Sequence, residues 1–310
     1  MRDFTRSHRA DALPSCPART CTAPHQSDSL RWRSQPQLVH SRHPRFVQHR
    51  QTASRNGRRA RGASEFIDAV AGMTELERDQ AIRRELVAGN VPSFLRNVQP
   101  VTLSTSVGGE TVRLTLCVLS DYLSVGDDTD FLLVPMGLDT ALAVAASFGF
   151  TLPTRRMVDL IYRRSSVRLT PQPLPAGDWM RSTNYYVLHN ALVQQQRSAA
   201  GAAPGALTAG HKKDLVLSAQ LWRQPGRVAI YGWHRGVDAP IQPLSTVHRA
   251  SYADYSHGVR LVSEVVFVND ERRWIFDVLA DERLAASLSD EGPLSQAAEL
   301  RAAARPSAGR

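Results

Sequence analysis

Apolar residues at positions 101, 103 and 107, and again at 112, 114, 116 and 118, alternate with polar ones on either side of Gly108-Gly109. Period 2 sends successive side chains to opposite faces, so the pattern predicts two strands joined by a turn that accepts positive φ. Upstream, Thr74-Glu75-Leu76-Glu77 has the spacing of a capping box and predicts a helix from there to about Val87, stopping at Gly89. Further helices are expected over 140–148, over 154–164 with Thr154 as cap, over 185–197 and over 281–288. Strands are expected over 131–134, 167–170, 215–217, 228–231, 258–268 and 273–279, with Asn269-Asp270 turning the last two into a hairpin. Residues 198–206 are Ala/Gly/Pro-rich and read as an exposed loop. Strands and helices do not alternate in βαβ order. The pattern therefore predicts an α+β fold, a mainly antiparallel sheet with a few flanking helices.

Composition narrows the class. A chain of 310 residues, 42% hydrophobic and 22% charged, is long and apolar enough to bury a core. Its longest mostly apolar run, residues 141–150, contains Ser147 and Gly149 and falls short of the roughly 20 residues of a bilayer span. Three cysteines, Cys16, Cys21 and Cys117, are too few for a disulfide framework or a four-thiolate zinc site.

The net charge of +9 would point to nucleic acid if it were spread over the chain. It is not. Residues 1–64 hold 13 Arg against 3 Asp, so the other 246 residues sum to −1. This first segment shows neither period 2 nor period 3.6 and no continuous apolar stretch of a secretory signal. Three divisions are expected: a disordered basic arm over 1–64, a single α+β domain over 65–293 and a frayed tail over 294–310. The arm reads as a solvated tail or non-native upstream sequence ahead of a nucleic-acid contact. A chain starting at Met73 is expected to unfold cooperatively, and the compartment expected by default is the cytoplasm.

Reactive side chains concentrate late in the chain. Five of the ten histidines, His189, His211, His234, His248 and His257, fall in the folded half, and none lies between Leu76 and Leu188. Of 38 basic residues only Lys212 and Lys213 are lysines, and they sit together in Gly210-His211-Lys212-Lys213-Asp214. Lysine is a compact ammonium that burial can deprotonate, which arginine is not. A second cluster runs from His248 through Ser251, Tyr252, Asp254, Tyr255, Ser256 and His257 to Arg260. His248, Asp254 and His257 are residue types for a divalent metal, zinc or another. Strand alternation would put Ser256 and His257 on opposite faces, so they are not expected to act as nucleophile and base. Between the clusters, Trp233-His234 closes a predicted strand, and Trp233 is a candidate platform for a sugar or peptide. His189, mid-helix, reads as a structural histidine, and Asp127-Asp128-Thr129-Asp130 as an acidic turn.

The string Ser256-His257-Gly258-Val259-Arg260-Leu261 resembles the Ser-His-Gly-Cys-x-Arg signature of L,D-transpeptidases. Over these six residues His257, Gly258 and Arg260 match, but the nucleophilic cysteine is missing between Gly258 and Val259. Cys117, in an apolar alternation, is a poor substitute. The resemblance implies peptidoglycan chemistry without supplying its nucleophile. Residues 131–293 also resemble an uncharacterised bacterial family through the strings over 152–159, 210–214 and 254–258, which implies no activity.

The expectation is a hydrolase-type enzyme acting on a peptide, cell-wall fragment or glycan. His211, Lys213, Asp214, His234, His257 and Arg260 are its candidate catalytic residues. Lys212, Trp233, Tyr255 and Ser256 are the candidate substrate contacts. A divalent ion on His248, Asp254 and His257 is the metal-dependent version. The alternative is a non-catalytic module that binds an acidic sugar or peptide with the same groups.

Overall fold

The computed structural model describes residues 61–304, so the arm lies outside the described residues apart from its last four. The fold is α+β, and its sheets are mainly antiparallel. The predicted hairpin forms between Gln99–Val107 and Glu110–Val118. Val107 pairs with Glu110, and Gly108 (φ 60) and Gly109 (φ 86) take the left-handed conformation that a two-residue turn of this hand demands. Val262–Val268 adds to this hairpin and carries Glu271–Trp274 on its other edge through the Asn269-Asp270 turn.

A second sheet positions the chemistry. Its strand order is Pro240–Ser245, Ile230–His234, Lys213–Leu215, His257–Gly258. The first two junctions are antiparallel and the last is parallel. After Ser245 the chain runs back along residues 226–228, with the Val228 N–H donating to the His248 carbonyl at 3.2 Å and the Ala250 N–H to the Gly226 carbonyl at 2.8 Å, and returns as the edge strand. Lys213 and His257 thereby share one small sheet, with Lys212 just ahead of its strand.

Helix caps follow the sequence. Thr74 and Glu77 bond reciprocally at the head of Glu75–Val87, and Thr154 and Ser182 cap Arg155–Arg164 and Thr183–Ala199. The last helix buries Tyr186, His189, Val193 and Arg197 on the face turned to the core. In the acidic turn, Asp127 Oδ1 accepts from the Thr129 and Asp130 N–H groups, while Asp128 caps the turn of helix at Ser93–Arg96. These carboxylates serve the backbone.

Several expectations need correction. The strand over 273–279 ends at Trp274 and continues as the helix Ile275–Ala280, because Ile275, Phe276, Val278 and Leu279 are buried at helical spacing. The strand over 258–268 is broken, since the carbonyls of Val259 and Leu261 turn aside to accept from Leu123 and Leu119. Residues 294–304 are not frayed. Leu294 and Ala297 are buried, and Arg301 on Ala297–Ala303 grips Glu264 through two bonds of 2.6 and 2.9 Å. The helix Ala63–Ala69 begins two positions ahead of the expected domain boundary at 65, and its Phe66 together with Val70 belongs to the core. No helix among the described residues is long and apolar enough to cross a membrane.

Candidate functional site

In the parallel junction His257 is the register partner of Lys213, and Gly258 of Asp214. On the other side Lys213 lies opposite Gly232 and Asp214 opposite Tyr231. Lys213–Leu215, Ile230–His234 and His257–Gly258 thus adjoin in one sheet. Strand alternation then sorts their side chains, because Lys213 and Asp214 must point to opposite sides of the sheet.

The Lys213 side holds the less conventional chemistry. The Lys213 ammonium lies over the Trp233 ring, 4.9 Å from its centroid, and makes no ion pair among the described residues. Trp233 itself takes φ 56, a left-handed backbone that costs a side-chain-bearing residue roughly 1–2 kcal/mol. Its indole N–H is buried without an acceptor. His257 is completely buried, and neither ring nitrogen has a hydrogen-bond partner. Asp254 Oδ2 stands 3.8 Å from His257 Nε2. Asp254 is held in turn: Oδ1 accepts from the Ser256 N–H at 2.8 Å and hydroxyl at 2.5 Å, and Oδ2 from the Tyr252 hydroxyl at 3.2 Å. Half-buried His248 and Tyr252 stack face to face at 3.9 Å, and both rings flank His257.

Electrostatics sets the protonation states here. Burial pushes the His257 imidazole down to about 4, against the pull of Asp254 in the opposite direction. Burial works to raise the Asp254 carboxyl, but His257, the Ser256 bonds and Lys213 outweigh it and hold it below the usual carboxylate range. Burial also lowers the Lys213 ammonium, with Asp254 opposing. Near neutral pH the group therefore contains a neutral imidazole beside an ionised carboxylate.

The other candidates are divided among inward-facing networks. Asp214 accepts from the Tyr122 hydroxyl at 2.8 Å, and burial raises its carboxyl to about 6. Arg260 lies over the Tyr122 ring and donates to the Leu119 carbonyl at 2.8 Å and to the Thr208 carbonyl. His211 Nε2 approaches Asp121 Oδ1 to 3.2 Å without hydrogen-bond alignment, and Asp121 is gripped by Arg197. The Lys212 Nζ donates to the Tyr255 carbonyl at 2.5 Å and meets His189 Nδ1 at 3.1 Å. Burial brings that ammonium down to about 7. His234 Nε2 bonds Asp159 Oδ1 at 2.9 Å, and its ring stacks on Tyr162.

Three roles are revised on this geometry. Lys212 is sealed inside by a backbone carbonyl and His189, so it is not a substrate contact. The Tyr255 hydroxyl is spent on the Leu174 backbone, accepting from its N–H at 2.7 Å, and the Ser256 hydroxyl on Asp254. The metal reading gains no support: among the described residues no group of three or more His, Cys, Asp or Glu side chains is arranged to hold an ion. Asp254 already serves Ser256 and Tyr252, and His248 is turned flat against Tyr252. Tyr252, Tyr122 and Asp121, which the sequence does not single out, contact the candidates Asp254, Asp214 and His211. Tyr252 sat inside the quoted cluster, but nothing in its spacing marked it as Asp254's donor.

No protein-family model, curated protein or solved structure matches the chain.

Proposed function

We propose that the chain is a hydrolase-type enzyme whose working group is His257, Asp254 and Lys213. The observation that carries this reading is His257, wholly buried with both ring nitrogens unbonded. A buried polar group without a partner is costly; His234 finds one in Asp159 and His189 in Lys212, while His211, also without a hydrogen bond, is wedged against Asp121 and Tyr122, and His257 differs in lying in register with Lys213. His257 is held beside an oriented carboxylate and a cation, with both ring nitrogens unpaired.

In this reading the neutral imidazole takes a proton from water while the water oxygen bonds to an acyl carbon. Lys213 faces the oxygen that gains charge. The bond to the leaving group then breaks, and the imidazolium returns its proton to that group. Asp254, fixed by Ser256 and Tyr252, stabilises the imidazolium in between. Substrate reaches His257 by displacing the half-buried His248 ring beside it, and Tyr252 stays on Asp254. The substrate class is a peptide or a cell-wall fragment, with a glycan ester as the sugar-bearing form.

The test is turnover by purified full-length protein of a panel of peptides, muropeptides and acetylated glycans, beside its His257→Gln variant. Turnover lost in the variant at an unchanged unfolding midpoint supports the reading. Equal turnover in both, or binding with no turnover, removes it and leaves a binding module.

A further inference from the structure

Donors outnumber acceptors on the Lys213 side of the small sheet. Lys213 brings an ammonium that no carboxylate neutralises within ion-pair distance among the described residues. The Trp233 indole N–H, on the ring against which that ammonium rests, is buried and has no acceptor. Asp254 offers this surplus little, because it already accepts from Ser256 twice and from Tyr252. The backbone bears a cost to keep the indole there, since Trp233 sits at φ 56. A buried N–H without an acceptor and a cation without an anion are both relieved by one negatively charged ligand group.

We propose that Lys213 and the Trp233 indole N–H form a subsite for a carboxylate of the substrate. The subsite rests on reading Lys213 and His257 as one site. A carboxylate supplies two oxygens in a plane, one for the ammonium and one for the N–H. A dianion fits less well, because the ionised Asp254 nearby repels each added negative charge. The carboxylate comes from a peptide C-terminus or from an acidic sugar.

Calorimetric binding to the full-length protein separates the possibilities, using N-acetylalanine against N-acetylalaninamide and glucuronate against glucuronamide. At least one acid is expected to bind about tenfold tighter than its amide, the margin of a charge-assisted contact. Preference for N-acetylalanine assigns a peptide end, and preference for glucuronate an acidic sugar. The preference should vanish in Lys213→Met. Trp233→Phe keeps a ring under the ammonium and removes only the N–H, so it should weaken the acid and leave the amide unchanged. It decides the matter alone if Lys213→Met does not fold. Equal affinity for acid and amide, no binding of either acid at millimolar concentration, or a preference untouched by both variants overturns the subsite. The two readings fail separately. An acid preference with full turnover in His257→Gln keeps the subsite and removes the hydrolase. Turnover lost in His257→Gln with no acid preference does the reverse.

Discussion

His257 and Lys213 face one another across the parallel junction of the small sheet, each the register partner of the other. Forty-four positions separate them in the chain, yet the pairing puts imidazole and ammonium on the same face. That placement depends on Gly258 and Asp214, the next pair in register, both of them buried.

Gly258 is therefore a packing residue. A Cβ there would meet Lys212 Cβ and Tyr122 Cδ1, each at 2.7 Å. Gly258→Ala should cost about 1–3 kcal/mol in urea unfolding, the usual penalty for overpacking a core. A variant as stable as the wild type would mean that the edge strand sits elsewhere.

Arg260 holds the same layer from beneath. Its guanidinium spans the Leu119 and Thr208 carbonyls and covers Tyr122. Arg260→Met leaves those carbonyls unpaired and removes a cation close to Asp214, so a loss of about 3–5 kcal/mol is expected in equilibrium unfolding. If activity fell while stability held, Arg260 would belong to the reacting group instead.

Lys212 gives a pH signature. Burial brings its folded-state value down to about 7, below the 10.5 of an ordinary lysine. Between those values the unfolded chain binds the proton more strongly, so stability rises with pH across the window. Wild-type protein should gain stability from pH 7 to pH 9 relative to Lys212→Met. Parallel stability curves for the two proteins would contradict a buried, partly neutral amine.

The start of the folded part can be tested by truncation. Phe66 and Val70 are buried, so a chain beginning at Met73 loses both from the core. Its unfolding midpoint should fall well below that of a chain beginning at Arg61, since deleting a buried phenylalanine side chain alone costs about 3–5 kcal/mol. Equal midpoints would show that Ala63–Ala69 contributes nothing to stability.

Much of the fold was legible because its signals are local. Gly108-Gly109, the Thr74–Glu77 box and the Thr154 cap each act within one turn, and each forms as read. The Ile275–Ala280 helix is not legible in the sequence, because its apolar run fits either period until its burial is known. The site was half legible. Clustering marked Gly210-His211-Lys212-Lys213-Asp214 and the 248–260 segment, and these do adjoin. Spacing could not tell which members face inward. Alternation separates Lys213 from Asp214, and the Tyr255 carbonyl, 43 positions away, claims Lys212. Metal-ligand spacing at His248, Asp254 and His257 was equally uninformative about Ser256 and Tyr252, which occupy the carboxylate.

The most direct measurement compares turnover in His257→Gln and His234→Gln, two buried histidines of the same small sheet. His234 is bonded to Asp159 and stacked on Tyr162, whereas His257 has neither nitrogen bonded. The prediction is that His257→Gln loses about 100-fold or more of kcat/KM, the contribution of a general base. His234→Gln should keep its rate wherever it stays folded. In wild-type protein the acid limb of kcat/KM should fall well below the ordinary imidazole range, near the value of about 4 set by burial of His257. Activity abolished by His234→Gln and retained by His257→Gln would contradict the account.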